Sequence, residues 1–140
     1  MTPEDIHLVQ TSFAPVARLG DAAAELFYAR LFDIDPALRP MFPEVGRPAQ
    51  AQKLMAMLTV AVRGLSEPAA LLPVLESLGR RHVGYGVRPE HYDTVGAALL
   101  DTLHTALDEA FDAETRAAWV SAYSLIARTM QGAAAEVHPA

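Results

Sequence analysis

Apolar residues recur three and four positions apart along almost the whole chain, and no segment alternates one by one, so helices are predicted and strands are not. Thr2-Pro3-Glu4-Asp5 is a start signal: a hydroxyl cap, a proline at the first helical position, then acids at the positive helix end. Ile6, Val9, Phe13 and Val16 follow at helical spacing, and Leu19-Gly20-Asp21 breaks the run. A second helix is expected to reach about Ile34, where Asp35-Pro36 stops it. Pro36, Pro40, Pro43 and Pro48, with Gly46 among them, leave room only for short helical turns. The next segment, from about Pro48 to Gly64, shows an apolar face of Leu54, Met57, Leu58, Ala61, Val62 and Leu65. Ser66-Glu67-Pro68 opens another that ends near His82, and Pro73 within it predicts irregular first turns. Arg88-Pro89-Glu90 then starts a long helix striped by Tyr92, Val95, Gly96, Leu99, Leu100, Leu103 and Leu107. The last helix begins near Asp112 and carries Trp119, Ala122, Tyr123, Ile126 and Met130, with an alanine-rich tail from Gly132 to Ala140 that is expected to fray.

Helices of such unequal length, with a proline-broken corner near residue 40, do not suit a regular four-helix bundle. They suit helices crossed at steep angles around a pocket. The length of 140 residues predicts one domain, 1–140, with a real core, and no repeat or linker divides it. A net charge of -6 without any Lys/Arg cluster argues against nucleic acid. The absence of cysteine removes disulfides, thiolate catalysis and iron–sulfur clusters, and fits a reducing compartment. No apolar run of about 18 residues predicts a membrane span, and the acidic N-terminus does not read as a signal peptide, so a cytoplasmic protein is expected.

The chemistry concentrates in Leu78-Gly79-Arg80-Arg81-His82-Val83-Gly84-Tyr85-Gly86-Val87, where a histidine on the last turn of a helix precedes two glycines. No His-x-x-x-His or Glu-x-x-His pair includes it to help it grip a bare ion. A histidine acting nearly alone suits a haem iron, which needs one axial ligand, better than structural zinc, which takes four ligands from the protein. His7, His91, His104 and His138 read as surface or satisfied polar residues; His91 falls in a first turn expected to face solvent. Taken singly, Tyr28, Phe42 and Gln50 read as an ordinary core tyrosine, a packing residue and a polar helix start. Trp119 and Tyr123 read as core, and Met55, Met57 and Met130 as core or pocket lining.

Several stretches together resemble a known family. Leu26-Phe27-Tyr28-Ala29-Arg30-Leu31-Phe32, Pro36-Ala37-Leu38-Arg39-Pro40-Met41-Phe42, the His82 stretch, His91-Tyr92 with Val95-Gly96, and Arg116-Ala117-Ala118-Trp119 fall in the order found in bacterial single-domain haemoglobins and the globin domain of flavohaemoglobins. Parts are also similar to neuroglobin. The resemblance implies an all-α globin fold of six to eight helices around haem b (iron protoporphyrin IX). It implies His82 as the proximal ligand, its other ring nitrogen held by a backbone carbonyl of the same helix. Phe42 would stack on the haem, Gln50 and Tyr28 would donate to a bound gas, and Leu54 would cap the pocket. Gln50 and His82 are 32 residues apart, as the family spacing implies. Tyr92 would approach the proximal ring, Val87 would touch the cofactor, and Lys53 or Arg81 would pair with a propionate. The glutamate that completes the proximal network in some bacterial relatives falls at Ala134 here, with Glu136 two residues away.

Four functions follow from these expectations. The first is reversible binding of oxygen, and of nitric oxide or carbon monoxide, at an open sixth site. The second is nitric-oxide dioxygenation, which would need electrons from a separate reductase. A gas sensor would need a partner for its output. A haem-free helical signalling module would leave Tyr28 and Gln50 without a reason to accompany His82.

Overall fold

The structure is a computed structural model that describes residues 1–44 and 46–137. Its helices are α1 (Pro3–Leu19), α2 (Asp21–Ile34), α3 (Pro48–Gly64), α4 (Pro68–Gly84), α5 (Pro89–Leu107) and α6 (Ala113–Val137). Short 3-10 turns at Pro36–Met41 and Asp108–Ala110 complete the set, and no strand occurs among the described residues.

Local chemistry explains the boundaries. Thr2 and Asp5 exchange side-chain-to-backbone hydrogen bonds of 3.1 and 3.0 Å, satisfying two otherwise orphaned N–H groups at the start of α1. Proline occupies the first position of α1, α3, α4, α5 and the first 3-10 turn, where its missing N–H costs nothing. Gly20, at φ +55°, lets the chain turn between α1 and α2. The Asp35 carboxylate accepts from the Ala37 N–H at 3.1 Å and starts the corner.

Two expectations are corrected. α4 is a continuous helix through Pro73, and α1 likewise runs through Pro15. Both prolines are exposed, as are Ala69 and Thr11, whose carbonyls lose their partners, so water can take the place of the missing bonds. The tail does not fray at Gly132: α6 continues to Val137 with Ala133 buried against the core, as alanine's high helix propensity favours. The remainder of the expected frayed tail, with His138, lies outside the described residues.

α4 lies along α6, α2 along α5, and α1 along α6, which brings helices distant in sequence around one interior. Leu31, Leu75, Leu103 and Val9 are its most deeply buried large side chains. Trp119 donates to the Ser12 hydroxyl at 2.8 Å, and Gln10 donates to the Val62 carbonyl at 3.1 Å, tying α1 to α6 and to α3. α4 and α6 come very close at Gly79. A Cβ there would lie 2.7 Å from Met130 Cα and 2.8 Å from its carbonyl carbon on α6. Only glycine allows the two backbones to approach so far.

Candidate functional site

The helices do not close the interior. A cavity of about 510 Å³ lies between them, within the usual range of roughly 300–1,000 Å³ for small-molecule sites. All eight residues singled out for cofactor contact line it: Tyr28, Phe42, Gln50, Lys53, Leu54, His82, Val87 and Tyr92. Arg81 does not.

His82 stands on the last turns of α4, half-buried, with Nδ1 2.7 Å from the Leu78 carbonyl oxygen. A carbonyl only accepts, so the ring carries its proton on Nδ1 and the Nε2 lone pair is left free. Burial lowers the pKa of the ring and the neighbouring Arg81 lowers it further, against the opposing pull of the Leu78 carbonyl. The imidazole is therefore neutral near pH 7 and able to ligate. The backbone around it is fixed too: Tyr85 and Val87 both donate to the His82 carbonyl at 3.1 Å, and Gly86 at φ +84° makes that turn possible. The Tyr85 ring meets the imidazole edge-on at 5.7 Å between centroids.

α2 and α3 supply a second polar pair. The Gln50 Nε2 amide donates to the Tyr28 hydroxyl at 2.9 Å. With that oxygen already accepting, and no acceptor for its own proton among the described residues, the Tyr28 O–H is free to donate into the cavity. Burial raises the Tyr28 pKa, partly offset by the Gln50 bond, so the phenol stays protonated. Gln50 thus spends one of its two amide N–H groups on holding Tyr28, and Tyr28 presents its own hydrogen to the cavity. An aromatic cluster fixes the phenol ring, with Phe27, Phe42 and Phe32 at 5.3, 5.8 and 6.2 Å, and Arg39 covers Phe32 at 4.9 Å.

Other expectations change. His91 is not a solvent-facing residue: it is half-buried, lines the cavity, and its Nδ1 accepts from the Arg88 N–H at 2.9 Å. Its place at the third position of α5, where a capping box usually has Glu or Gln, was the available signal. Tyr92 is buried and burial raises its pKa, but its phenol makes no hydrogen bond to His82 among the described residues. Tyr123 and Trp119 are not core alone, because both also line the cavity. The Tyr123 hydroxyl donates to the Tyr92 carbonyl at 2.6 Å, and burial holds its pKa far above the ordinary phenol value. Glu136 is exposed and Ala134 half-buried, so the last helix brings no carboxylate to the imidazole. Met57 and Met130 line the cavity and Met55 does not. Lys53 is exposed at the rim.

The donor set discriminates between possible occupants. Among the described residues no three His, Asp or Glu side chains converge, so a bare metal ion would lack the three or four protein ligands it usually takes. One free imidazole nitrogen inside a large, mainly apolar cavity fits a flat apolar group carrying its own metal.

Comparison with known proteins bears on the family and the fold. A family model described as Globin matches residues 25–130. The flavohemoprotein of Chromobacterium violaceum is 35% identical over 127 residues, covering 89% of this chain and 31% of that protein. The chain spans about a third of the length of the curated relatives it matches. A bacterial globin from Campylobacter jejuni superposes with a TM-score of 0.86 at 25% identity, over 99% of this chain and 100% of that one. A hexacoordinated heme protein from an anhydrobiotic tardigrade shares the fold, with a TM-score of 0.83 at 19% identity over 96% and 95% of the two chains.

Proposed function

The chain belongs to the globin family, and from that premise we propose that it is a haem protein binding oxygen and other diatomic gases reversibly, with residues 1–140 as one globin domain. Haem b would supply an iron able to bind a diatomic gas while a protein nitrogen holds it. His82 provides that nitrogen: its ring is neutral, its proton sits on Nδ1, and the Leu78 carbonyl fixes its plane. Phe42 and Leu54 would pack against the group, Val87 and Tyr92 would bound it, and Lys53 would pair with a propionate; all five line the cavity.

On the gas side the work falls to Tyr28. Its hydroxyl donates, and Gln50 keeps it aimed by occupying the lone pair that would otherwise let it rotate. A hydrogen bond to a charged acceptor is worth roughly 1.5–3 kcal/mol, so one such donor slows release of a gas that carries negative charge by about tenfold to a hundredfold. Gln50 is also a poor iron ligand compared with imidazole, which keeps the gas position open. The observation that carries the reading is the single cavity shared by the Nδ1-locked His82 and the Gln50–Tyr28 pair.

A ferrous spectrum before and after carbon monoxide tests it. A Soret band that shifts on carbon monoxide is expected, and His82→Ala should abolish stoichiometric haem retention. A protein that takes up no haem, or one whose haem content survives that substitution unchanged, refutes the assignment.

Nitric-oxide dioxygenation with a separate reductase is the second reading, favoured by the likeness to flavohemoproteins. Sustained nitrate formation from nitric oxide and oxygen with a supplied electron donor would select it over a carrier, which would give a single turnover.

A further inference from the structure

The cavity is lined by two histidines, and the backbone fixes them in opposite tautomers. His82 gives its Nδ1 proton to the Leu78 carbonyl and keeps a lone pair on Nε2. His91 does the reverse. Its Nδ1 accepts from the Arg88 N–H at 2.9 Å, and a backbone N–H only donates, so the neutral ring has its lone pair on Nδ1 and its hydrogen on Nε2. That Nε2–H has no partner among the described residues. No side-chain nitrogen or oxygen among them is buried without a partner, so this N–H is open to the space beside it. A nitrogen that carries a hydrogen cannot ligate a metal, so His91 does not compete with His82 for one. What it can do is donate. The third position of a capping box usually holds Glu or Gln. A glutamate would hold the Arg88 N–H equally well; the imidazole adds a second polar atom, and that atom is a donor.

We propose that His91 is a carboxylate-binding residue of this site, its Nε2–H donating to one propionate of the cofactor. The proposal rests on the haem reading above. Haem b brings two carboxylates, and among the described residues Lys53 on α3 is the only Lys or Arg that lines the cavity. The only acid in the lining, Glu44, already pairs with Arg47 at 3.0 Å. A dianionic group entering a chain of net charge -6 thus meets one cation and leaves one carboxylate unmatched. Most other polar groups of the lining are committed. Trp119 donates to Ser12, Tyr123 to the Tyr92 carbonyl, and Gln50 to Tyr28. The Tyr92 phenol is buried, where a carboxylate would lose its hydration. Tyr85 is 63% exposed, and no described residue holds its hydroxyl. His91 combines partial exposure with an N–H whose direction is set by a second bond on the same ring.

Two substitutions separate donation from capping. His91→Glu keeps a side chain that caps at this position but replaces the donor with an anion, whereas His91→Gln keeps both cap and donor. Each protein is loaded with haem b and, separately, with its dimethyl ester, in which both carboxylates are uncharged. The rate of porphyrin loss from the ferric form to excess apomyoglobin is followed at the Soret band. His91→Glu is expected to lose haem b about tenfold or more faster than the wild type, as removal of a hydrogen bond to a charged group implies, and to lose the ester at a rate changed by less than about twofold. His91→Gln should stay within about threefold of the wild type with both porphyrins. Urea unfolding of the three apoproteins should coincide, since the cap survives. Equal acceleration for haem b and ester in His91→Glu, or none for either, overturns the proposal. Nitrogen-15 spectra of the histidine rings test it without any substitution: the wild-type His91 ring should carry its hydrogen on Nε2, and a ring protonated on Nδ1 alone refutes the proposal while leaving the haem reading intact. A wild type that takes up neither porphyrin overturns the haem reading and the His91 assignment with it.

Discussion

Replacing Gly79 with alanine probes the link between helix packing and the ligand. The added Cβ would sit 2.7 Å from Met130 Cα and 2.8 Å from its carbonyl carbon, both backbone atoms of α6 that no rotamer change can remove. Ordinary carbon contacts lie at about 3.5–4.0 Å, so the helices would have to part by roughly 1 Å. Overpacking of this kind costs about 1–3 kcal/mol. Alanine returns at most about 1 kcal/mol through its higher helix propensity. A net loss of up to about 2 kcal/mol is expected in urea unfolding of the apoprotein. The Leu78 carbonyl that holds the His82 ring is joined directly to the Gly79 nitrogen, so the displaced peptide also tilts the imidazole and weakens haem retention. Gly84→Ala is the control, because nothing lies within 4 Å of its added Cβ, and it should be neutral or slightly stabilising. Should Gly79→Ala match the wild type in stability and haem retention, the close α4–α6 contact is not what positions His82.

Tyr28→Phe should speed gas dissociation by about tenfold to a hundredfold, as followed by stopped flow. Gln50→Leu should have a smaller effect of the same sign, because it frees the phenol to rotate without removing the donor. Since burial raises the Tyr28 pKa above its ordinary 10.0, the dissociation rate of the wild type should stay flat through neutral pH and rise only in strong alkali as the donor is lost. The Asp112 carboxylate accepts from the Thr115 N–H at 2.8 Å, and that bond depresses its pKa below 3.8. Its stabilising contribution is therefore present above that value and fades as pH falls through the depressed pKa. Asp112→Ala should lower the melting temperature at pH 7, with the gap narrowing in acid.

Much of the site was readable along the chain. A ligand histidine at a helix end followed by glycines has a local cause, and so does the Tyr28, Phe42 and Gln50 series once the family resemblance supplies the order. The Leu78 partner of His82 was also within reach, because residues four apart on a helix are neighbours. Less readable was the division of labour between Gln50 and Tyr28. Both can donate, and only their 2.9 Å approach shows that one holds the other. Tyr123 entered the cavity wall unannounced, because its neighbours in sequence say nothing of the helix opposite.

Helix identity and boundaries came from the sequence alone, because caps, prolines and glycines act on the residues beside them through backbone hydrogen bonds and allowed dihedrals. The tertiary structure decided which helices meet, how near they come, and how charge is arrayed in space. Gly79 facing the Met130 backbone and Gln50 bonded to Tyr28 depend on residues brought together by packing. Contacts between residues so far apart in sequence are fixed by shape and by burial of the whole interior.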